Sequence, residues 1–161
     1  MDAAVRVRRA SGADVPRLLP LCVEHAAFER LPHALDHAAP DLTAALDSTP
    51  TLLHAWLAEC GDEAVGYATA SLDFSTLAAA RYLHMDCLFV RENWRNRAIG
   101  RQLWQALHDF ARASGCRQMQ WQTPEWNTAA ARFYRRLGAC ELRKRRYVLP
   151  LDADMPQSLR R

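Results

Sequence analysis

The chain has 161 residues, of which 50% are hydrophobic and 24% are charged. This length fits one domain with a sizeable core, and the composition excludes a disordered, collagenous or repetitive chain. No apolar stretch approaches the roughly 20 residues of a membrane helix, and the first residues lack the apolar segment of a secretory signal. We therefore expect a cytoplasmic protein with no membrane partner.

The formal net charge of +3 is the sum of two halves of opposite sign. Residues 1–86 contain 6 basic and 12 acidic side chains, a net charge of −6, and residues 87–161 contain 15 basic and 6 acidic ones, a net charge of +9. This asymmetry predicts that the C-terminal half meets an anion and that the N-terminal half meets a cation. Nucleic acid is disfavoured as the anion, because the basic residues are not interleaved with aromatic side chains for base stacking.

The spacing of cysteines and histidines predicts neither a disulfide framework nor a metal centre. The five cysteines are odd in number, far apart and never in a C-x-x-C pair, so we expect reduced thiols. His33 and His37 are one helical turn apart, with Glu29 a further turn upstream, which is a spacing that metal sites use. Pro32 and Pro40 interrupt this segment, and no metal is predicted.

The hydrophobic pattern of the first half predicts four strands and two helices. In chain order we expect a strand at 5–8, a helix that follows the capping residues 11–14 and runs to 25, a helix at 41–46, strands at 54–59 and 64–72 joined by a turn at 61–63, and a central strand at 82–90. The central strand is almost continuously apolar, as expected of a strand covered on both faces, and its one acid is Asp86.

The second half predicts alternating helices and strands. We expect an amphipathic helix from Ile99 to the stop at 114–115, a strand at 118–122, a helix from the turn at 123–127 to Gly138, and a last strand at 141–149. Together the two halves predict an α/β domain with a mixed, mostly antiparallel central sheet flanked by helices. The domain is expected to span residues 1–150, and residues 151–161 to form a tail that is loosely ordered or an arm on a partner subunit.

The loop between the central strand and the long helix is the candidate ligand site. Backbone N–H groups at a helix N-terminus lack intrahelical acceptors and point outward with the positive end of the helix dipole, which favours phosphate. The segment Arg95-Asn96-Arg97-Ala98-Ile99-Gly100 is neither a Walker A loop nor a G-x-G-x-x-G fingerprint. On these grounds alone, an anion site and an ordinary strand-to-helix loop both stay open.

Leu88-Phe89-Val90, followed by this loop, resembles the acyl-CoA binding motif Q/R-x-x-G-x-G/A of the GNAT superfamily of N-acetyltransferases. Arg95 and Gly100 match the motif, whereas Ala98 stands where the family usually has its first glycine. The alanine adds a methyl group and restricts φ where the backbone meets the ligand.

A second block of the same family lies downstream. Glu125-Trp126-Asn127 is followed after six residues by Tyr134, and Gly138 closes the helix. Within the superfamily the chain looks most like the spermidine/spermine and thialysine N-acetyltransferase branch, whose aromatic-acid pair in the first helix region is similar to Phe28-Glu29.

The resemblance implies a GNAT-like fold and an acetyl-CoA-dependent N-acetyltransferase. The acceptor would be the primary amine of a polyamine, a diamine or a lysine-like amino acid, with acetyl-CoA as co-substrate, no metal, and a homodimer as the assembly. Other interpretations stay open: acetylation of an aminoglycoside, another amino acid or a protein amine, or a non-catalytic acyl-CoA-binding module.

Acetyl transfer needs a neutral amine and a proton for the departing thiolate. Asp86 is expected at the amine, with His84 as the substitute base, and the family motif implies Tyr134 as the acid. Strict alternation along the strand predicts His84, Asp86, Leu88 and Val90 on one face and Cys87 on the other, which disfavours a covalent route through Cys87.

The expected binding residues fall into two groups. The resemblance to the family implies that backbone N–H groups of the strand at residues 88–90 hold the pantetheine arm and polarise the thioester carbonyl. The acyl-CoA site is expected to contain Leu88, Phe89, Val90, Arg95, Asn96, Arg97, Ala98, Ile99, Gly100, Arg101, Asn127 and Tyr134. The amine site is expected to contain Glu29, His84, Asp86 and Trp126.

Overall fold

The computed structural model describes residues 4–31, 35 and 37–151. Its elements in chain order are β1 (Val5–Ala10), α1 (Val15–Phe28), α2 (Ala38–Asp47), β2 (His54–Cys60), β3 (Glu63–Ser75), β4 (Ala80–Val90), α3 (Ile99–Ala113), β5 (Gln118–Gln120) and α4 (Thr128–Arg136). Within these residues the strands form one sheet in the order β1-β2-β3-β4-β5, antiparallel from β1 to β4 and parallel between β4 and β5. The predicted mixed, mostly antiparallel sheet flanked by helices is confirmed.

Two apolar clusters cover the two faces of the sheet. On one face α3 packs Leu103 and Leu107, both fully buried, against the sheet. On the other face α1 packs Leu18 and Leu21, also fully buried, around Tyr67 of β3. Each such leucine contributes about 1.5–3 kcal/mol by leaving water, so the two layers hold the sheet rigidly between the helices.

A bulge interrupts β4 at Asp86. Thr69 of β3 lies opposite Cys87, and the next residue, Ala70, lies opposite Met85. Asp86 is therefore the extra residue of the bulge and has no partner on β3. A bulge re-aims the side chains near it, and here it does so at the one acidic residue of the strand.

The bulge reverses the alternation of side chains along β4. Leu83 and Met85 precede the bulge and pack in the cluster beneath α3, and Leu88 and Val90 follow the bulge and pack in the same cluster. The predicted alternation, with His84 on the face of Leu88 and Val90, is therefore wrong. One inserted residue moves every later side chain to the other face, because the period of a strand is two.

The last two strands part after a short contact. β5 pairs with β4 only at residues 82–84, although β4 continues to Val90. The strand predicted at 118–122 is accordingly two residues longer than the observed Gln118–Gln120. Beyond residue 84, β4 has no strand beside it on this edge within the described part of the chain, and a gap opens between β4 and the segment that leads to α4.

The last predicted strand, at 141–149, is wrong. Residues 139–151 form neither helix nor strand, and Leu142, Tyr147 and Leu149 are 75%, 83% and 81% exposed. A strand needs a neighbour for its backbone hydrogen bonds, and the three-residue β5 does not supply one here. The domain limit expected at 150 stays a prediction, because all of the expected tail except residue 151 lies outside the described residues.

Cys22, Cys87 and Cys116 are partly buried and Cys140 is exposed, and the expected reduced state of the thiols stays a prediction. None of the helices in the described ranges is long and apolar enough to cross a membrane. The location expected from the first residues of the chain stays a prediction.

Candidate active site

A pocket of about 680 Å³ occupies the gap where β4 and β5 part. Its floor is the bulged half of β4, residues 85–90, and its far wall is α4 with the preceding segment 121–123. The loop at 94–101 and the C-terminal end of α1 complete the lining. The pocket therefore joins the two halves of the chain that carry opposite charge.

The loop before α3 has the backbone of an anion site. Asn96 and Ala98 adopt left-handed conformations with φ of 61° and 60°, and α3 begins directly afterwards without a side-chain cap or an acidic residue in its first turn. The first turn of α3 presents uncapped N–H groups and the positive end of the helix dipole next to these left-handed residues. This part of the pocket attracts anions such as phosphate.

The packing of the protein around Gly100 does not explain why this residue is a glycine. A Cβ at this position would lie 3.6 Å from the Phe133 ring, which is ordinary van der Waals contact, and its φ is not in the left-handed region. The surrounding protein therefore does not require glycine here. A ligand that approaches the backbone of the first turn of α3 would require it.

Arg95 ties the loop to the rest of the pocket. Its Nε donates a hydrogen bond to the Val90 carbonyl at 3.0 Å, and its guanidinium lies 4.8 Å from the centre of the Phe28 ring. The side chain thereby connects the loop, β4 and α1 while leaving a positive charge at the pocket wall.

Tyr134 reaches the pocket from α4, which begins where the Asn127 side chain accepts a hydrogen bond from the Ala130 N–H at 3.2 Å. The Tyr134 ring packs against Trp121 at 5.1 Å between ring centres. Burial, reinforced by the nearby charges of Glu29 and Cys87, raises the pKa of Tyr134 to about 12. The phenol therefore keeps its proton at neutral pH and is a hydrogen-bond donor.

Asp86 and Cys87 lie together at the bulge, and both line the pocket. The Cys87 thiol donates a weak hydrogen bond to Asp86 Oδ2 at 3.6 Å, so the prediction that the two side chains face apart is wrong. Burial and, next, the Asp86 charge raise the pKa of Cys87 to about 12. The thiol stays protonated and is a poor nucleophile, so a covalent route is disfavoured for a different reason than the sequence suggested.

Glu29 ends α1 at the opposite wall, and His25 lies one turn before it. His25 Nε2 is 3.2 Å from Glu29 Oε1, and His25 Nδ1 is 2.8 Å from the Tyr67 hydroxyl. The imidazole also stacks on Phe89, with 5.0 Å between ring centres and 21° between planes. His25 and Glu29 therefore enter the pocket as a joined pair.

Known proteins match this chain over most of its length. The family model described as the acetyltransferase (GNAT) family matches residues 21–139. The chain belongs to the GNAT family. It is thereby an acetyl-CoA-dependent N-acetyltransferase, and the family predicted from the loop and from the block around Trp126 is confirmed.

Individual relatives agree. The thialysine N-epsilon-acetyltransferase of Caenorhabditis elegans is 28% identical over 118 residues, which cover 73% of this chain and 72% of the relative. An aminoglycoside acetyltransferase from an uncultured soil metagenomic sample, in complex with sisomicin, has a TM-score of 0.80 at 18% identity and covers 92% of this chain and 97% of its own. Aminoglycoside N-acetyltransferase AAC(6')-Iy in complex with CoA has a TM-score of 0.80 at 20% identity. The match covers 94% of this chain and 98% of that protein's chain. The two structures support the fold alone.

The residues predicted for the acyl-CoA site of this GNAT protein line the pocket, with one exception. The pocket contains Leu88, Phe89, Val90, Arg95, Asn96, Ala98, Ile99, Gly100, Arg101, Asn127 and Tyr134. Arg97 is not among the lining residues, and its guanidinium instead lies 4.9 Å from the centre of the Trp94 ring. The motif thus predicts the loop as a whole, but its spacing does not say which arginine turns outward.

The residues predicted for the amine site are divided. Glu29 and Asp86 line the pocket, whereas His84 and Trp126 do not. His84 lies opposite Gln120 in the short paired part of the strands, before the gap opens. Trp126 packs behind the pocket wall, with its ring 5.6 Å from that of Phe28.

Sequence reasoning missed His25 as a pocket residue. Its spacing of four from Glu29 on a predicted helix was the one signal present in the sequence. The partner that holds its other nitrogen, Tyr67, is 42 residues away on β3 and becomes visible only in the fold. Of the histidine pair considered for a metal, His33 lies outside the described residues, and elsewhere in the described chain no three metal-ligating side chains come together.

Proposed function

We propose that this GNAT enzyme transfers the acetyl group of acetyl-CoA to the primary amine of a small cationic acceptor by direct attack. One observation carries the proposal: a single pocket is lined by an uncapped helix N-terminus, by the carboxylates of Glu29 and Asp86, and by the protonated Tyr134 phenol. Such a pocket suits an anionic acetyl donor and a cationic amine that bind in the same cavity.

The loop before α3 and the adjoining part of β4 fit the pyrophosphate and the pantetheine arm of CoA. The left-handed residues Asn96 and Ala98 precede the free N–H groups of α3, and the side of Gly100 is open for close approach. Arg95 and Arg101 add positive charge to the wall. On the edge of β4 that faces away from β3, the strand has no neighbouring strand beyond residue 84 within the described residues, so backbone groups of residues 85–89 on that edge can hold an extended pantetheine chain.

The part of the pocket around Asp86 fits the ammonium group of the acceptor. Asp86 is exposed into the pocket, and within the described residues its one hydrogen bond comes from the Cys87 thiol. A carboxylate with so weak a partner at the floor of a pocket attracts a cation and fixes its nitrogen. The name of the Caenorhabditis elegans relative, a thialysine N-epsilon-acetyltransferase, supports a lysine-like acceptor.

The proposed reaction uses Asp86 and Tyr134 on opposite sides of the reacting carbon. Asp86 first takes a proton from the bound ammonium group, directly or through water, and releases it to solvent, which leaves a neutral amine. The amine nitrogen then forms a bond to the thioester carbonyl carbon, and the second N–H proton, more acidic once that bond has formed, leaves by the same route. As the C–S bond breaks, Tyr134 gives its proton to the sulfur and regains one from solvent. The net reaction converts the ammonium and acetyl-CoA into the N-acetylated amine, CoA thiol and one proton in solvent.

The test is an assay of thiol release from acetyl-CoA with a panel of amines that includes monoamines, diamines, polyamines, thialysine, lysine and an aminoglycoside. We expect the specificity constant to rise with the positive charge of small amines in the wild type and to lose this dependence in Asp86→Asn. No thiol release with any amine would overturn the proposal in favour of an acyl-CoA-binding module. Release that is independent of acceptor charge would overturn the role of Asp86.

We also propose a homodimer as the assembly. The support is the apolar surface of the C-terminal segment, where Leu142, Tyr147, Leu149 and Leu151 are each at least 75% exposed. Exposed apolar side chains in such a group are typical of protein contacts. Sedimentation of the wild type and of a Leu142→Ser, Leu149→Ser variant tests it: a wild-type monomer would contradict the proposal.

A further inference from the structure

A series of hydrogen-bonded side chains, Tyr67, His25 and Glu29, runs from the core of the protein to the pocket. Tyr67 is only 2% exposed, and its hydroxyl contacts His25 Nδ1 at 2.8 Å. The side chain of His25 is 12% exposed, and its Nε2 reaches Glu29 at 3.2 Å. Only the last member of this series, Glu29, is substantially open to the pocket, at 29%.

The hydrogen-bonding capacity of each group determines which member of this series donates and which accepts. An ionised Glu29 carboxylate can only accept, so His25 Nε2 carries the proton between them. The neutral imidazole then accepts at Nδ1, and the Tyr67 hydroxyl donates to it. Burial raises the pKa of Tyr67, which keeps this hydroxyl protonated and able to donate. In the neutral imidazole, Glu29 thereby selects the Nε2–H tautomer, and the Tyr67 hydroxyl donates to the other nitrogen.

Packing leaves the imidazole one orientation. Its plane stacks on Phe89 of β4, and its edge meets the Tyr67 ring at an angle of 70°. Phe89 itself is 6% exposed and belongs to the cluster beneath α1. A ring held on two sides and bonded at both nitrogens presents its Nε2–H in one direction, toward Glu29.

We propose that His25 is a positioning residue for the acceptor amine: clamped by Tyr67 and Phe89, it holds the Glu29 carboxylate in the pocket so that Glu29 and Asp86 together bind the ammonium group. This inference rests on the proposed function and deepens it. Without His25, Glu29 would lie at the frayed end of α1 with free rotamers, and an amine would have to order it on binding. The role predicts an effect on amine binding rather than on the chemical step.

The test measures kcat and the KM for both substrates in four single variants and one double variant. His25→Leu keeps an apolar side chain of moderate size but removes both hydrogen bonds, and we expect the KM for a diamine to rise about tenfold with kcat and the KM for acetyl-CoA nearly unchanged. His25→Gln retains an N–H that reaches Glu29, and we expect most of the wild-type KM to return.

The decisive comparison is a double-variant cycle. If His25 acts through Glu29, His25→Leu raises the amine KM in the wild type but has little further effect in Glu29→Gln. His54→Leu is the matched control: His54 is another buried histidine, bonded to Arg9 at 2.8 Å and outside the pocket lining, and its loss should leave the amine KM unchanged.

Three outcomes would overturn the inference. Additive effects of His25→Leu and Glu29→Gln would mean that His25 does not act through Glu29. Equal rises of the KM for amine and acetyl-CoA, or no recovery in His25→Gln, would indicate a packing role alone. A wild type that acetylates no amine would overturn the proposed function and this inference together, whereas an active wild type with an additive cycle would overturn this inference only.

Discussion

Ala98→Gly should stabilise the protein, because residue 98 is an alanine in a conformation that favours glycine. Its φ of 60° and ψ of 8° are left-handed, at the residue that directly precedes α3. A non-glycine residue there costs about 1–2 kcal/mol, and glycine gives back about 0.4–1 kcal/mol through the greater entropy of the unfolded chain. The net gain is therefore about 1 kcal/mol, which for a chain of this length raises Tm by about 2–4 °C.

Two alanines in other settings serve as controls for this measurement. Ala79 is also left-handed, with φ of 47°, in the exposed turn between β3 and β4, so Ala79→Gly should stabilise in the same way. Ala44 is exposed within α2, where glycine costs about 1 kcal/mol, so Ala44→Gly should lower Tm. Thermal unfolding and urea titration of the three variants give the comparison.

Ala98→Gly should change the affinity for CoA less than it changes the stability of the fold. The loop already has its left-handed backbone without a ligand, so the strain at Ala98 is present in both the free and the bound protein and cancels in binding. Calorimetry should give a Kd for CoA within about threefold of the wild type. A lower Tm for Ala98→Gly, with Ala79→Gly behaving as expected, would refute the assignment of strain to this loop.

Three further predictions concern the pocket and the fold. Tyr134→Phe should lower kcat by about 10²–10⁴-fold and leave the Kd for CoA nearly unchanged, and a wild-type kcat under conditions where chemistry limits the rate would contradict the role of acid. Gly100→Glu should abolish CoA binding in calorimetry, whereas Gly100→Ala, whose methyl would make ordinary van der Waals contacts with the Phe133 ring at 3.6 Å and with Val90 at 4.0 Å, should leave Tm nearly unchanged. The pKa of Asp14 is lowered to about 2, first by its hydrogen bond to Arg8, so its stabilising contribution is complete above about pH 4 and is lost as pH falls through about 2. The difference in unfolding free energy between wild type and Asp14→Asn should accordingly shrink over that range, and a constant difference would contradict the pairing.

Much of the fold follows from local pattern. The alternation of residues 54–72 around the turn at 61–63 is sufficient for the hairpin β2–β3, and the three- and four-residue spacing from Ile99 is sufficient for α3. The strand at 141–149 was predicted from the same kind of pattern and is absent. Alternation describes how a strand would present its side chains, but the backbone partner that makes it a strand lies elsewhere in the chain.

The bulge at Asp86 is the clearest limit of sequence reasoning. The sequence identified an acid in an apolar strand, and that acid lines the pocket. The two-residue period then assigned the faces of His84, Leu88 and Cys87 wrongly, because the extra residue exists only in relation to Thr69 and Ala70 of β3. A bulge is a property of a pair of strands, so one strand's sequence does not show it.

The sequence by itself identified the candidate loop from Arg95 to Gly100 and the pocket residues Asp86 and Tyr134, because each is tied to residue types at short spacing. Tertiary structure alone decided how they meet. The early separation of β5 from β4 opens the pocket, and the packing of α1 against β3 and β4 brings His25 to Tyr67 and Phe89. These contacts join residues 42 and 64 positions apart, a separation that chain-local propensities do not encode and that burial of the sheet between two helical layers imposes.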